Sequence, residues 1–213
     1  MNFQMEKYLK ATPIIDCDNP LIKEKAEALT KERKDIIDKA TTLFYFVRDE
    51  IKYNIYVPKS LPEHFQASNT LSRREGYCVQ KAVLLAALAR AAGIPYGLGF
   101  ARIRNNLLPE KTKKWLGTNI LPFHGFTELY IEGKWVKATP AFDLEMCERN
   151  RIVPVEFDRK NDATFHSHNR DGKLHIEYLK YLGRHYDELP LDKLWYVVSQ
   201  HFGGGFPEPP ERS

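Results

Sequence analysis

The longest apolar stretch of the chain runs from Val79 to Ala92 and predicts a helix that is buried on all sides. Alanine and leucine fill most of its positions, and both residues favour the helical conformation. The apolar residues go almost all the way round the helix, whereas a surface helix carries them in one stripe. Gly93 is placed to end the helix in a left-handed conformation, and Pro95 prevents it from resuming. We therefore expect this segment to form the centre of the core.

Two further helices are predicted before the central one. Apolar residues at three- and four-residue spacing begin at about Pro20, where Asn19 is placed as the N-cap and proline is favoured at the first helical position. The same spacing recurs from about Arg33 to Ile51. Residues 51–57 then alternate as an extended segment does, and residues 59–74 are predicted to be a polar connection that leads to Gly76.

Strands are predicted after the central helix. Residues 96–103 have the composition of a strand, and residues 123–131 alternate between apolar and polar positions. Glu132 and Gly133 then provide a two-residue turn, from which residues 134–139 return as the second strand of a hairpin. Together with the helices, this pattern predicts an α+β fold in which a central buried helix packs on an antiparallel sheet.

Two segments stand outside this pattern. Residues 105–122 are long and irregular for a connection within a compact domain, and we expect them to act as a flap. Its apolar members would border a cleft, and they are Leu107, Leu108, Trp115 and Leu116. Residues 203–213 contain three glycines and three prolines and are expected to be a flexible tail. The organisation predicted is thus a single domain over residues 1–202 followed by this tail.

Composition and charge narrow the function classes. A chain of 213 residues with 43% hydrophobic and 28% charged residues is typical of a globular protein with one core. The net charge of +4 is mild, and the densest basic cluster, residues 111–114, is typical of a solvated loop. We therefore expect no nucleic-acid partner.

The cysteines and the apolar runs bear on location. No apolar run reaches the length that spans a membrane, and the first ten residues lack the apolar core of a secretory signal. The three cysteines are widely spaced and odd in number, which does not suit a disulfide framework or a metal knuckle. A cytoplasmic location without membrane association is the expectation. His166 and His168 lack neighbouring ligands at suitable spacing, so no metal is expected.

Cys78 is the strongest candidate for a reactive group. It lies in the first turn of the central helix, just beyond Gly76, where unpaired N–H groups and the helix dipole favour a thiolate. The alternative is a small buried hydrophobic residue, which is what most free cysteines are. A thiolate needs a base, and His124 is the outstanding histidine because it begins a hairpin strand and so has a rigid mount. The Cys78 backbone N–H is the candidate oxyanion donor.

These residues carry a family resemblance. The segments Gly76-Tyr77-Cys78, Arg90-Ala91-Ala92-Gly93-Ile94-Pro95, His124-Gly-Phe-Thr-Glu128 and Gly133-Lys-Trp135-Val136 follow one another in the order seen in the transglutaminase-like superfamily. The resemblance spans roughly residues 36–143. It implies a papain-like fold with a Cys-His-Asp triad that performs acyl transfer or amide hydrolysis without a cofactor. Cys78 and His124 match the first two members of that triad.

The third member does not match. The family's usual aspartate follows the tryptophan in a W-x-x-x-D-P-T pattern, and that position is Thr139 here. Asp143 is the substitute. If the second hairpin strand continues past Pro140, strand pairing places both Thr139 and Asp143 diagonally opposite His124, and only Asp143 carries a negative charge. The alternative role for Asp143 is the N-cap of a short helix from Leu144.

The sequence thus predicts a cysteine-dependent acyl-transfer enzyme with Cys78, His124 and Asp143 as catalytic residues. Hydrolysis of a peptide, protein or small amide substrate is favoured over protein crosslinking, since no acidic calcium-binding loop is visible. The alternative is a catalytically silent member of the family that uses its cleft to bind a partner. Substrate identity and oligomeric state do not follow from the residues.

Overall fold

The computed structural model describes residues 3–158 and 161–209. Its α-helices are α1 (Pro20–Thr30), α2 (Ile36–Tyr45), α3 (Ala67–Arg73), α4 (Cys78–Ala91), α5 (Glu110–Leu116), α6 (Leu144–Arg149) and α7 (Leu191–Phe202). Its strands are β1 (Lys52–Tyr53), β2 (Glu75–Gly76), β3 (Tyr96–Asn105), β4 (Ile120–Ile131), β5 (Lys134–Ala138) and β6 (Ile176–Tyr186). Short 3-10 helices span Phe3–Leu9 and Pro62–Phe65, and a π-helical turn spans Phe46–Glu50.

The predicted central helix is confirmed as α4. Every residue from Cys78 to Arg90 is buried, and the helix packs against the sheet on one side and against α1, α2 and α3 on the other. Gly93 follows the helix with a φ of +78°, a left-handed backbone conformation that residues with a side chain rarely adopt. Its N–H donates a hydrogen bond to the Arg90 carbonyl. The α4 helix therefore forms the middle of an α+β fold, as expected.

The helices that precede α4 begin where short polar side chains cap them. Asn19 Oδ1 accepts the Leu21 N–H at the start of α1, and Asp35 Oδ1 accepts the N–H groups of Ile37 and Asp38 at the start of α2. The α2 helix is shorter than predicted because it passes at Phe46 into the π-helical turn. The buried Lys81 of α4 donates to the Arg48 and Ile51 carbonyls there, which satisfies backbone groups that the turn leaves unpaired.

The main sheet has four antiparallel strands in the order β5-β4-β3-β6. The hairpin of β4 and β5 is confirmed in the predicted register, with Ile131 paired to Lys134 and Thr127 paired to Ala138. The strand β6 pairs with the other edge of β3. Its sequence alternates poorly because most of its residues are only partly buried or exposed, so residues 174–186 carried no clear strand signal.

Two predicted loops contain helices. Residues 59–74 include the 3-10 helix Pro62–Phe65 and α3, where Ala67, Thr70 and Leu71 turn an apolar face to α4 between polar neighbours. The expected flap includes α5, which ends at Gly117 with a φ of +69°. The expectation that residues 105–122 are irregular was therefore wrong, and the helices within residues 59–74 were not predicted. Each segment carries too few apolar residues for its helices to be visible in the pattern.

The described part of the chain bears on two further expectations. Among these residues, no helix combines the length and the apolar character that crossing a membrane requires. Residues 203–209, the described part of the expected tail, follow α7, and the partly buried Phe206 among them packs against the core. Residues 210–213 lie outside the described residues. The domain boundary at residue 202 and the flexibility beyond it stay predictions.

Candidate active site

Cys78 is the first residue of α4 and is 4% exposed. The residue before it, Tyr77, has an extended backbone and donates its N–H to Gln80 Oε1 at 3.2 Å, which fixes the first turn of the helix. The N–H groups of Cys78, Val79 and Gly125 lie close enough to the thiol to favour its ionised form. Val79 and Gly125 thus add two N–H groups to that of Cys78, the one donor that the sequence suggested.

The approach of α4 to β4 depends on Gly125. A Cβ atom on this residue would lie 2.9 Å from Val79 Cα, a separation that real Cβ atoms essentially never show. Because neighbouring side chains on a strand point to opposite faces, the face of β4 that meets Val79 is that of Gly125 and not that of His124.

Burial dominates the ionisation of Cys78. It raises the pKa of the thiol to about 11. The backbone N–H groups and the positive charge of Lys59 favour the thiolate and act to lower this pKa, but their effect is smaller. The helix N-terminus was expected to hold this thiol ionised. Because the thiol is buried, desolvation outweighs that effect. Access of water to the cavity becomes a condition for reactivity.

His124 lies on β4 in an aromatic environment and is fully buried. Its ring centroid is 5.0 Å from that of Phe165, 6.1 Å from that of Tyr178 and 6.5 Å from that of Phe126. Neither ring nitrogen has a hydrogen-bond partner among the described residues, and burial lowers the pKa of His124 to about 3. The structure therefore does not bring Cys78 and His124 together in a hydrogen-bonded pair.

The structure places Asp143 elsewhere than expected. Asp143 Oδ1 accepts the Met146 N–H at 2.8 Å as the N-cap of α6, and Oδ2 accepts the Tyr53 N–H at 2.8 Å. The expectation that Asp143 lies diagonally opposite His124 was wrong because β5 ends at Ala138, before Pro140, and does not continue the pairing. The capping alternative is the one that the geometry supports.

Thr139 occupies the expected acid position and is fully buried. Its backbone N–H donates to the Ala163 carbonyl at 2.8 Å, whereas its hydroxyl has no hydrogen-bond partner among the described residues. The Thr139 side chain nevertheless lies near enough to the Tyr178 hydroxyl to favour its ionised form, although burial raises the pKa of Tyr178 by far more. No carboxylate is hydrogen-bonded to the His124 ring in the described part of the chain.

Lys59 is a site residue that the sequence analysis missed. Its side chain is buried, lines the same cavity as Cys78, and donates to the carbonyls of Ile55 and Val57 at 2.8 and 3.0 Å. Only its position after Pro58, in a segment that leads to the central helix, could have drawn attention to it. A lysine in a polar connection is ordinarily exposed.

Two cavities meet near Cys78. The smaller has a volume of about 30 Å³ and contains the thiol; it is covered by Trp115 and Leu116 of the expected flap and by Phe206 from beyond α7. The larger is an open groove of about 580 Å³ that begins at Tyr53 and Ile55, which border both cavities, and reaches Leu107 and Leu108. All four apolar flap residues named from the sequence therefore border these cavities.

A hydrogen bond and ring contacts hold the covering of the smaller cavity. Trp115 Nε1 donates to the Glu208 carbonyl at 2.6 Å. The rings of Tyr77 and Phe206 meet edge to face at 6.1 Å. Within the described residues, no three His, Cys, Asp or Glu side chains converge as a metal site requires.

Comparison with known proteins decides the family. The sequence model of the transglutaminase-like superfamily matches residues 23–140, more than half of the chain. The chain belongs to the transglutaminase-like superfamily. Cys78, Gly125 and the β4–β5 hairpin all lie within the matched part of this transglutaminase-like protein. No curated protein is significantly similar to the chain in sequence.

Solved structures resemble the chain at low sequence identity. A "Putative Cysteine Protease" from Cytophaga hutchinsonii is 18% identical with a TM-score of 0.53, and the match covers 87% of this chain and 55% of that one. The periplasmic domain of TgpA from Pseudomonas aeruginosa is 20% identical with a TM-score of 0.43, covering 57% of this chain and 42% of that one. The chain thus spans about half the length of these two proteins, and the first of them supports the fold alone.

Proposed function

We propose that this transglutaminase-like protein is a cysteine-dependent acyl-transfer enzyme that hydrolyses peptide or amide bonds. Cys78 would attack the carbonyl carbon of the substrate, the amine would leave with a proton, and water would then release the acid from the thioacyl intermediate. The observation that carries the proposal is the placement of Cys78 at the first position of α4. There its thiol lies beside three backbone N–H groups in a cavity that adjoins a large groove.

The groove supports the assignment of a peptide or amide substrate. Its lining includes Tyr53 and Phe142, whose rings meet edge to face at 4.9 Å, together with asparagines, basic residues and Asp171. A volume of about 580 Å³ accommodates a ligand of several residues. Opening of the flap at Trp115 would uncover the thiol and admit the water that lowers the desolvation of Cys78.

His124 retains its predicted role in this proposal only through a movement. Its ring fills the family's histidine position in the chain order, but neither ring nitrogen has a hydrogen-bond partner among the described residues, so a hydrogen bond to the thiol would have to form before the two could exchange a proton. The roles of Cys78 and His124 stay predictions. So does the cytoplasmic location expected from the cysteine pattern.

A second function is favoured by a specific observation. His124 has no hydrogen-bond partner among the described residues, Thr139 stands where the family has an acid, and Cys78 is covered. These features favour a catalytically silent protein that binds a partner through its groove. Substrate turnover separates the two functions, because a silent protein cleaves nothing.

Turnover by the wild type and by Cys78→Ser, measured on a panel of peptide, amide and thioester substrates, tests the proposal. We expect hydrolysis by the wild type and none by Cys78→Ser, with accumulation of an acyl adduct on Cys78 detected by mass spectrometry. Cys147→Ser, at another buried free thiol, is the matched control and should retain activity. Absence of turnover in the wild type across the panel, or equal turnover in Cys78→Ser, would overturn the proposal.

A further inference from the structure

Among the described residues, Cys78 has no hydrogen bond to His124, which the family pattern provides as the partner of its thiolate. A buried thiolate needs a nearby positive charge, and the neutral His124 ring among its aromatic neighbours does not supply one. The charged group that shares the smaller cavity with Cys78 is Lys59.

The structure holds Lys59 firmly at this place. Its ammonium donates to the Ile55 and Val57 carbonyls, which uses two of its three N–H groups and leaves the third for the cavity. The neighbouring Pro58 carbonyl accepts a hydrogen bond from Gln80 Nε2 at 2.8 Å, and Gln80 Oε1 accepts the Tyr77 N–H at 3.2 Å. One buried glutamine therefore ties the segment of Lys59 to the residue that precedes Cys78.

Aromatic rings make a cation tolerable in this cavity. Lys59 Nζ lies 5.7 Å from the ring centroid of Tyr77, 5.5 Å from that of Trp115 and 5.3 Å from that of Phe206. Ring faces attract a cation by an interaction that strengthens when water is excluded. The covering of the cavity thus stabilises the ammonium beside the thiol, although burial opposes it.

We propose that Lys59 is a positioning residue whose positive charge supports the thiolate of Cys78 in the reaction. The proposal rests on the proposed function and names the source of the charge that the function requires. Lys59, and not the histidine of the family pattern, then gives the nucleophile its electrostatic support.

Ionisation of the neighbouring groups is consistent with this pairing. Burial lowers the pKa of Lys59 to about 8, whereas the negative charges of ionised Cys78 and Glu208 act to raise it. Each of Lys59 and Cys78 shifts the pKa of the other towards the charged form. Among the described residues, the phenols of Tyr53, Tyr77 and Tyr178 also interact with the charge of Cys78, and burial raises the pKa of all three.

The test is the rate of Cys78 modification by iodoacetamide between pH 6.5 and 9.5, resolved by mass spectrometry of the cysteine peptides. At pH 7, Lys59→Met should react about ten-fold more slowly than the wild type, which corresponds to a rise of about one unit in the thiol pKa. Lys59→Arg should react at least as fast as the wild type. Lys193→Met is the matched control, because Lys193 also donates to a carbonyl and lies 5.5 Å from a tyrosine ring, on α7.

The pH dependence gives a second signature. Lys59 loses its proton above about pH 8, so the ratio of the Cys78 modification rate in the wild type to that in Lys59→Met should fall there. The ratio of the rate in Lys59→Arg to that in Lys59→Met should persist, because arginine keeps its charge. This comparison of the wild type with Lys59→Arg remains available if Lys59→Met does not fold.

Equal rates of Cys78 modification in the wild type and a folded Lys59→Met at pH 7 would overturn the inference. So would equal rates in the wild type and Lys59→Arg above pH 8. A third such outcome is slower modification in His124→Ala that Lys59→Met does not share. Turnover in the same preparations separates this failure from that of the proposed function. If Cys78 turns substrate over and the Lys59 variants match the wild type, only the inference fails. If the wild type cleaves nothing and Cys78 reacts no faster than Cys17 and Cys147, the proposed function itself fails.

Discussion

Asp143 joins two separate parts of the chain through the two oxygens of one carboxylate. One oxygen caps α6 at the Met146 N–H, and the other holds the Tyr53 N–H of β1, a residue that borders both cavities. The side chain is 7% exposed, so neither N–H would find water easily if the carboxylate were removed. Asp143 therefore contributes to the site by holding Tyr53 in its position.

Replacement of Asp143 by alanine should lower the free energy of unfolding by roughly 2–4 kcal/mol, from the lost cap and the unpaired Tyr53 N–H. Asp143→Asn should lose less, because its remaining oxygen can still cap α6. Urea denaturation of both variants measures the difference. Wild-type stability in Asp143→Ala, combined with a loss of turnover by orders of magnitude, would instead return Asp143 to the orienting role expected from the sequence.

At the level of single residues, local signals were predicted well and distant contacts were not. Asn19, Gly93 and the position of Cys78 at the start of a helix follow from neighbours in the sequence. Lys59 did not, because its aromatic neighbours Trp115 and Phe206 come from segments far along the chain. Asp143 was misplaced because pairing was extended through a proline, where the strand in fact ends.

Between elements, the closest approach that matters for the site is that of α4 to β4 at Gly125. The contact brings the Gly125 N–H to the Cys78 thiol, and it leaves no room for a side chain between strand and helix. The hairpin itself was predicted in its correct register from the alternation and the Glu132-Gly133 turn. The glycine's role was hidden, because it depends on which helix the strand meets.

Gly125→Ala should destabilise the protein by about 1–3 kcal/mol, since its Cβ would be forced against the Val79 backbone. It should also alter the rate at which Cys78 reacts with iodoacetamide. Gly204→Ala is the matched control, because a Cβ there meets nothing within 4 Å and the backbone is not left-handed. Thermal unfolding of the pair checks this; equal melting temperatures would show that α4 and β4 separate without cost.

Over the whole molecule, buried histidines make stability depend on pH. Burial lowers the pKa of His124 to about 3 and that of His175 to about 4, from an ordinary value of 6.5 in the unfolded chain. Between these limits the unfolded chain binds more protons than the folded one. Stability associated with the neutral rings is therefore fully present above pH 6.5 and is lost as the pH falls towards 3–4.

His124→Leu should make the fall in unfolding free energy between pH 6 and 4 shallower by up to about 1.4 kcal/mol per pH unit, because one proton-binding group of the unfolded chain is removed. Urea denaturation at several pH values measures the slope. His166→Leu, at an exposed side chain, is the control and should leave the slope as in the wild type. The assignment of a neutral His124 would be contradicted by equal slopes in the wild type and His124→Leu.

The overall architecture was the most predictable feature of the protein. A helix that is apolar on every face must lie inside, and an alternating hairpin must cover it, so the α+β fold follows from α4, β4 and β5. The partly exposed edge strand β6 and the short α3 and α5 could not be predicted in this way. The positions of β6 and α3 are set by contacts with β3 and α4, and that of α5 by contacts of Thr112 and Trp115 with Tyr56.

The border that the two cavities share at Tyr53 and Ile55 has a consequence for the chemistry of inhibitors. A groove of about 580 Å³ lies on one side of it, and a chamber of about 30 Å³ that is lined by Cys78 lies on the other. A compact electrophile has little for the groove to recognise, so its selectivity would depend on thiol reactivity alone. A reagent that carries a small electrophilic group on a groove-sized peptide body would anchor in one compartment and react in the other, and its selectivity among cellular thiols would be set by the body.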